Sequence, residues 1–179
     1  MDRTDEELVQ ECLAGDRSAY GELVKRHNGR VKAIAYRGLR DEALAEDLAQ
    51  EVFIRAYRSL HRFQIGRRFG PWLSAITANR IRDHLKSRAR RGEVAWDLER
   101  TSEGGATPLD RAAARQMLSR VGQGVAKMPE ETREVLRLRF VLGLDYEDVA
   151  VALNLPLGTV KSRISRARGA LRKELGEIL

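Results

Sequence analysis

Two groups of side chains in this 179-residue chain are spaced to grip a polyanion. In "GTVKSRISRARGALRK", residues 158 to 173, six Lys or Arg residues occur without an acid, while Val160, Ile164, Ala167 and Leu171 recur at spacings of four, three and four. On a helix those four residues form one apolar stripe, which holds the helix to a body. Lys161, Ser162, Ser165 and Arg166 then lie on the exposed face of the first turns, and Arg163, Arg168, Arg172 and Lys173 are placed for phosphates. Arg forms bidentate bonds to guanine and Ser bonds a base or a phosphate, so the first set can read base edges while the second positions the helix.

The second group runs from Gly66 to Arg91, where eight Lys or Arg residues face one acid, Asp83. Asn79, Arg80 and Asp83 share one side of a helix and can bond bases as well as phosphates. The loop before it sets Phe63 and Phe69 beside Arg67 and Arg68 around Gly66, a mixture suited to holding an unstacked base. Trp72, Ala75, Ile76 and Leu85 make the apolar seam, with Trp72 read as core. An opposite charge gathers upstream in Glu42, Glu46, Asp47 and Glu51, with Gln50 beside them. These offsets spread the acids around a helix and no His joins them, so a solvated face or a docking surface for a basic partner fits better than a metal site.

The elements that position these groups are helical throughout, with hardly any alternating run that would argue for a strand. Thr4 with Glu7 has the form of a capping box before Leu8, Val9, Cys12 and Leu13, and Gly15 closes that helix. Asp16 caps a helix carrying Tyr20, Leu23, Val24 and His27, with a further helix expected over Val31 to Leu39. Asp41 starts the acidic helix, and Pro71 is expected at the first position of the basic one. Residues 92 to 110 set Glu93, Asp97, Glu99, Glu103 and Asp110 against Arg100 among glycines and Pro108, the composition of a flexible acidic linker. Periodicity then returns. Asp145 can cap a helix from Tyr146 to Leu153, Asn154 can end it, and Pro156, Gly158 and Thr159 start the cationic helix after a short turn, which makes a helix-turn-helix. Val149, Leu153, Leu155, Val160 and Ile164 would form its small core.

The expected fold is all-α: a helical domain at 1–91, a flexible acidic linker at 92–108 and a helix-turn-helix domain at 109–179. A formal charge of +7 favours nucleic acid as partner, with an anionic membrane surface second. Cys12 is the single cysteine and reads as a small buried side chain in a reducing compartment. The N-terminus carries no signal-like apolar core, and no run approaches a membrane span, so the expectation is a cytoplasmic protein without membrane insertion. No motif calls for a cofactor, a metal or a catalytic residue.

"AEDLAQEVFIRAY", followed by "FGPWLSAITANRIRDHL" and, past the linker, "LDYEDVAVALNLPLGTVKSRISRAR", resembles the extracytoplasmic-function class of bacterial RNA polymerase sigma factors. The resemblance covers nearly the whole chain apart from the linker. It implies that the first domain docks on a coiled coil of the largest polymerase subunit through the matching Asp47, Gln50, Glu51 and Phe53. It implies that Phe63, Arg67, Arg68, Phe69 and Asn79, with Arg80 and Asp83, take part in opening and reading the minus-ten element. It implies that Lys161, Ser162, Arg163, Ser165, Arg166 and Arg168 read the minus-thirty-five element. The linker would thread through polymerase toward the RNA exit path. Ser165 stands where some relatives carry an aromatic residue, so promoter preference does not transfer. The partners implied are core RNA polymerase, promoter DNA and, as for many members, an anti-sigma factor.

On this reading the chain is a promoter-specificity subunit and not an enzyme. Three rivals make different demands. A stand-alone helix-turn-helix regulator would bind an operator tightly without polymerase. A nuclease would bind a divalent metal through the carboxylates of residues 42 to 51. A peripheral membrane protein would bind anionic vesicles.

Overall fold

The computed structural model describes residues 3 to 90 and 108 to 176, all of whose regular structure is helical. The first helix, α1 (Asp5–Leu13), starts with the expected capping box: the Glu7 amide donates to Thr4 Oγ1 at 3.2 Å and the Thr4 amide donates to Glu7 at 2.6 Å. The Thr4 amide, and with it the Thr4 hydroxyl, donate to the Glu7 carboxyl and hold it below its ordinary pKa. Asp16 caps α2 (Arg17–Leu39) by accepting from the Ser18 hydroxyl at 2.7 Å and the Ser18 amide at 2.8 Å, which hold its carboxyl below the ordinary range. Cys12 is half-buried, and burial pushes its thiol pKa up.

The spacing predicts two helices here, one carrying Tyr20 to His27 and a further one over Val31 to Leu39, but α2 runs without interruption through both, Gly29 included. Leu23, Val31, Ile34 and Ala35 are buried along one side of it. A glycine in a helix interior costs about 1 kcal/mol relative to alanine, less than full burial of even one large aliphatic side chain contributes. The helix ends at Arg40 in the left-handed conformation, and Asp41 opens α3 (Glu42–Ser59) by accepting from the Leu44 amide at 3.0 Å. α3 buries Ala45, Leu48, Ala49, Val52, Phe53 and Ala56, and the Tyr20 hydroxyl on α2 donates to the Phe53 carbonyl. A single 3-10 turn (Leu60–Arg62) and a loop lead to α4 (Phe69–Arg90). This helix begins two residues before Pro71, because Phe69 and Gly70 are buried with the first turn.

Past the linker, whose expected boundaries fall mostly outside the described residues, come α5 (Pro108–Ala126) and α6 (Glu130–Leu136). A wide π turn (Arg137–Val141) continues α6. Then α7 (Tyr146–Leu153) and α8 (Leu157–Leu175) form the helix-turn-helix. Asn154 ends α7 in the left-handed conformation, φ 51° and ψ 48°, as the sequence suggests. Asp145 sits at the α7 N-cap without a side-chain capping bond and reaches Arg30 instead, at 3.6 Å. α8 packs on α5, α6 and α7.

The two halves rest on each other. α7 lies along α4, and one buried cluster runs from Leu8 and Leu23 through Leu73 and Ile81 to Leu142, Val149 and Ile164. At the seam, a Cβ on Gly38 of α2 would come within 2.7 Å of Ile81 and 3.0 Å of Leu142. The missing side chain is therefore what lets α2, α4 and the segment after the π turn converge. Gly38→Val should destabilise the chain by about 1–3 kcal/mol through overpacking, read as a lower urea midpoint at unchanged slope.

Candidate nucleic-acid interface

The stripe of α8 is placed as its spacing demands: Val160, Ile164 and Ala167 are buried, and Leu171 is half-buried farther along. Val149 joins them from α7, with Leu153 and Leu155 packed against the cluster. Lys161, Ser162, Ser165, Arg166 and Arg168 are exposed on the opposite face. Arg166 donates back to the Ser162 carbonyl at 3.3 Å and to its hydroxyl at 3.4 Å, which fans the guanidinium over the first turns. Arg163 sits apart from this set, beside the buried stripe. It is half-buried and donates to Glu131 of α6 at 2.7 Å, tying α8 to its own body.

The loop between α3 and α4 divides its residues differently from the sequence expectation. Phe63 and Phe69 are 6% and 1% exposed and pack edge to face at 6.0 Å, with Trp72 at 5.3 Å from Phe63 and 5.6 Å from Phe69. These aromatics form the loop's own core because α4 starts early and draws Phe69 inward, against His27 of α2 at 5.3 Å. What the loop shows to solvent is Gln64, Ile65, Arg67 and Arg68. Trp72 is only partly buried and lines a hollow with Arg62, Arg67 and Arg68, whose far wall is Glu147, Val151 and Asn154 of the other half.

Farther along α4, Asn79 and Asp83 are exposed, and Arg82 donates to the Asn79 side chain. Arg80 is half-buried and donates from Nε to Glu51 of α3 at 2.9 Å. A groove here is lined by Asn79, Arg80 and Asp83 from α4 and by Arg55, Arg58 and Arg62 from the end of α3 and the turn after it. Those three cations were missed in the sequence, although their spacings of three and four mark one helical side. Lower down, Glu134 of α6 sits where burial alone would raise its pKa, yet its bonds from Arg137 and the nearby Arg82 of α4 hold it below the ordinary range.

On α3, Asp47, Gln50 and Glu51 share an exposed face. Phe53 does not join them: it is 7% exposed and belongs to the core, with its carbonyl bound by Tyr20. The apolar residue on the acidic face is Ile54, 52% exposed, at the helical interval from Asp47, Gln50 and Glu51. Its period could have identified it. Glu46 pairs with Lys32 at 2.6 Å. Among the described residues no group of three His, Cys, Asp or Glu side chains is gathered to hold a metal ion, so the nuclease alternative lacks a ligand set, and no helix is long and apolar enough to cross a membrane.

Comparison with known proteins follows the same division. Residues 23–91 match the family model for Sigma-70 region 2, and residues 118–171 match that for Sigma-70, region 4. The chain is 35% identical to the RNA polymerase sigma-H factor of Pseudomonas aeruginosa, over 98% of this chain and 95% of that one. It is 31% identical to the ECF RNA polymerase sigma factor SigW of Bacillus subtilis, over 99% and 100%. With the ECF RNA polymerase sigma-E factor of Escherichia coli K12 the identity is 32%, over 98% and 96%. Among solved structures, CnrH in complex with the cytosolic domain of CnrY superposes with a TM-score of 0.57 at 28% identity, covering 98% of this chain and 99% of that one. The sigma factor RpoE in complex with the anti-sigma factor NepR from Bartonella quintana, 23% identical with a TM-score of 0.54, shares the fold over 89% and 98%. Full-length likeness to sigma factors removes the stand-alone regulator as a reading of the helix-turn-helix.

The division of the loop into core and surface has a direct thermodynamic consequence. Phe69→Ala should lower the unfolding free energy by about 3–5 kcal/mol, as for a buried aromatic. Arg67→Ala should change it by less than about 0.5 kcal/mol. Urea titration of the two variants separates them.

Proposed function

Because the chain belongs to the extracytoplasmic-function class of the sigma-70 family, we propose that it joins core RNA polymerase and directs initiation at promoters with a minus-ten and a minus-thirty-five element. The observation that carries this is the order of three surfaces along one chain: an acidic exposed face on α3, a cationic groove and loop around α4, and a cationic face on α8 behind a helix-turn-helix.

In this reading residues 1–91 dock on polymerase and open and read the minus-ten element, and residues 109–179 read the minus-thirty-five element, with 92–108 as the tether between them. Asp47, Gln50 and Glu51 grip polymerase, with Ile54 in the apolar part assigned by resemblance to Phe53. Arg67, Arg68, Asn79, Arg80 and Asp83 meet the minus-ten strand, supported from below by Phe63 and Phe69. Lys161, Ser162, Ser165, Arg166 and Arg168 meet the minus-thirty-five duplex, and Arg163 sets the angle of the helix that carries them. Sigma factors are initiation factors, and the protein acts without a catalytic residue, cofactor or metal of its own, in the bacterial cytoplasm where polymerase works. Weak contacts at two elements become selective when polymerase holds both at high effective concentration. Since CnrH is seen with the cytosolic domain of CnrY and the Bartonella RpoE with the anti-sigma factor NepR, an anti-sigma factor is a fitting regulator here too.

Reconstitution with bacterial core polymerase, followed by transcription from a promoter library, tests the proposal: failure to bind core or to initiate selectively overturns it. In that assay Arg166→Ala should cost about 1–3 kcal/mol at the preferred minus-thirty-five sequence if the guanidinium reads a base. An equal loss on every sequence would make it a phosphate contact instead. Ile54→Ala should weaken core binding by at least about 1 kcal/mol while leaving the melting curve of the free chain nearly unchanged, because its side chain is already half in solvent.

A further inference from the structure

The seam between the halves consumes two cations, one on the minus-ten loop and one on α2 beside the start of α4. Arg68 of the loop donates to Glu147 of α7 at 2.5 Å. Arg30, three residues beyond His27 on α2, donates to Asp148, with Asp145 at 3.6 Å. Asp148 is a buried acid, its side chain 2% exposed, whereas Arg30 is 41% exposed and Arg68 74%. Arg30 lies close to the start of α4. A Cβ on Gly70 would lie 3.9 Å from its guanidinium and 3.6 Å from the His27 ring, so Arg30 stands beside the residues that follow Arg68, with no side chain of Gly70 between them.

Guanidinium groups bind carboxylate and phosphate through the same planar fork. Here two such groups from different elements meet one short helix, and each is matched by one of two consecutive acids on it, Glu147 and Asp148. That helix also supplies the far wall of the hollow lined by Arg67, Arg68 and Trp72. We propose that Arg30 acts with Arg68 as a phosphate-binding pair for the single promoter strand, and that Glu147 and Asp148 occupy this pair as an internal competitor in the free chain. DNA entering the loop then exchanges partners: phosphates replace the two carboxylates as α7 leaves. Arg30 lies on α2, outside the loop and the helix that the promoter reading already uses. The inference rests on that reading of the loop and adds to it a residue and a competitor.

The test uses the full chain and a fluorescent single-stranded oligonucleotide carrying the non-template strand of a promoter that the wild-type holoenzyme transcribes. Without polymerase, Glu147→Gln should bind the oligonucleotide about threefold or more tightly than wild type at low salt, the scale of one exposed ion pair removed. Glu147 is half-exposed, so this variant tests competition without disturbing the core. In the holoenzyme, the double variant Arg30→Gln with Asp148→Asn, which leaves no unpaired buried charge, should lose about tenfold in promoter-strand affinity, with a salt dependence shallower by about 0.7 in logarithmic slope. Arg30→Lys, which keeps the charge and loses the fork, should fall between the two. Unchanged binding by Glu147→Gln, or wild-type affinity and slope in both Arg30 variants, overturns the proposal. If wild type itself fails to initiate with core, the promoter reading falls and takes this inference with it. If wild type initiates but the variants bind as wild type does, only the inference falls.

Discussion

The first three turns of α4 are mostly buried under α2, α3 and α7, and the rest of the molecule is arranged by that burial. Phe69, Leu73, Thr77, Ala78 and Ile81 are buried, and α2, α3 and α7 all pack on this helix. Thr77 returns its hydroxyl to the Leu73 carbonyl at 2.9 Å, which satisfies the polar group inside this packing. Because the helix must start at Phe69 to fill the core, the loop before it is pulled tight and its cations are turned outward. Because burial gives way after Ile81, the later turns are free to carry charge. The placement of one apolar run thus decides where the positive surfaces lie.

Charge is distributed by the same logic. The acids of α3 sit on its outer face since Leu48, Ala49, Val52 and Phe53 take the inner one, and Glu51 still reaches across to Arg80. The face assigned to polymerase and the face assigned to the minus-ten strand are therefore joined by an ion pair between α3 and α4. On α7, Val149 points inward while Glu147 lies at the seam with the loop. Each helix gives its apolar face to a neighbour and leaves the remainder to select a partner by sign of charge.

Much of this was legible in the sequence because it is local. The caps at Thr4, Asp16 and Asp41, the left-handed end of α7 at Asn154 and the stripe of α8 all follow from spacings of four residues or fewer. Local spacing also misled: it divides the stretch after Asp16 into two helices, and the buried side of α2 joins them. Phe63 and Phe69 read as stacking platforms because a loop has no period to reveal which side faces inward. Ile54 had such a period, and the neighbouring Phe53 drew the assignment away from it. The pairing of Arg30 with Asp148 spans 118 residues and leaves no trace in either local pattern. Nothing short of the fold could join them.

The shared core also has an energetic meaning for assembly. Leu142 and Ile81 both lie against Gly38, and Val149 belongs to the same buried cluster as Leu73, so the halves share part of their buried core in this arrangement. Opening them exposes apolar surface to water, and that cost is subtracted from the affinity of whatever holds them apart. The seam therefore works as a threshold: a ligand that touches one half alone gains nothing from separation, whereas one that engages both halves in the parted arrangement recovers the cost through its differential binding. Selectivity for such two-handed partners is written into the packing of aliphatic side chains, quite apart from any residue that reads a base.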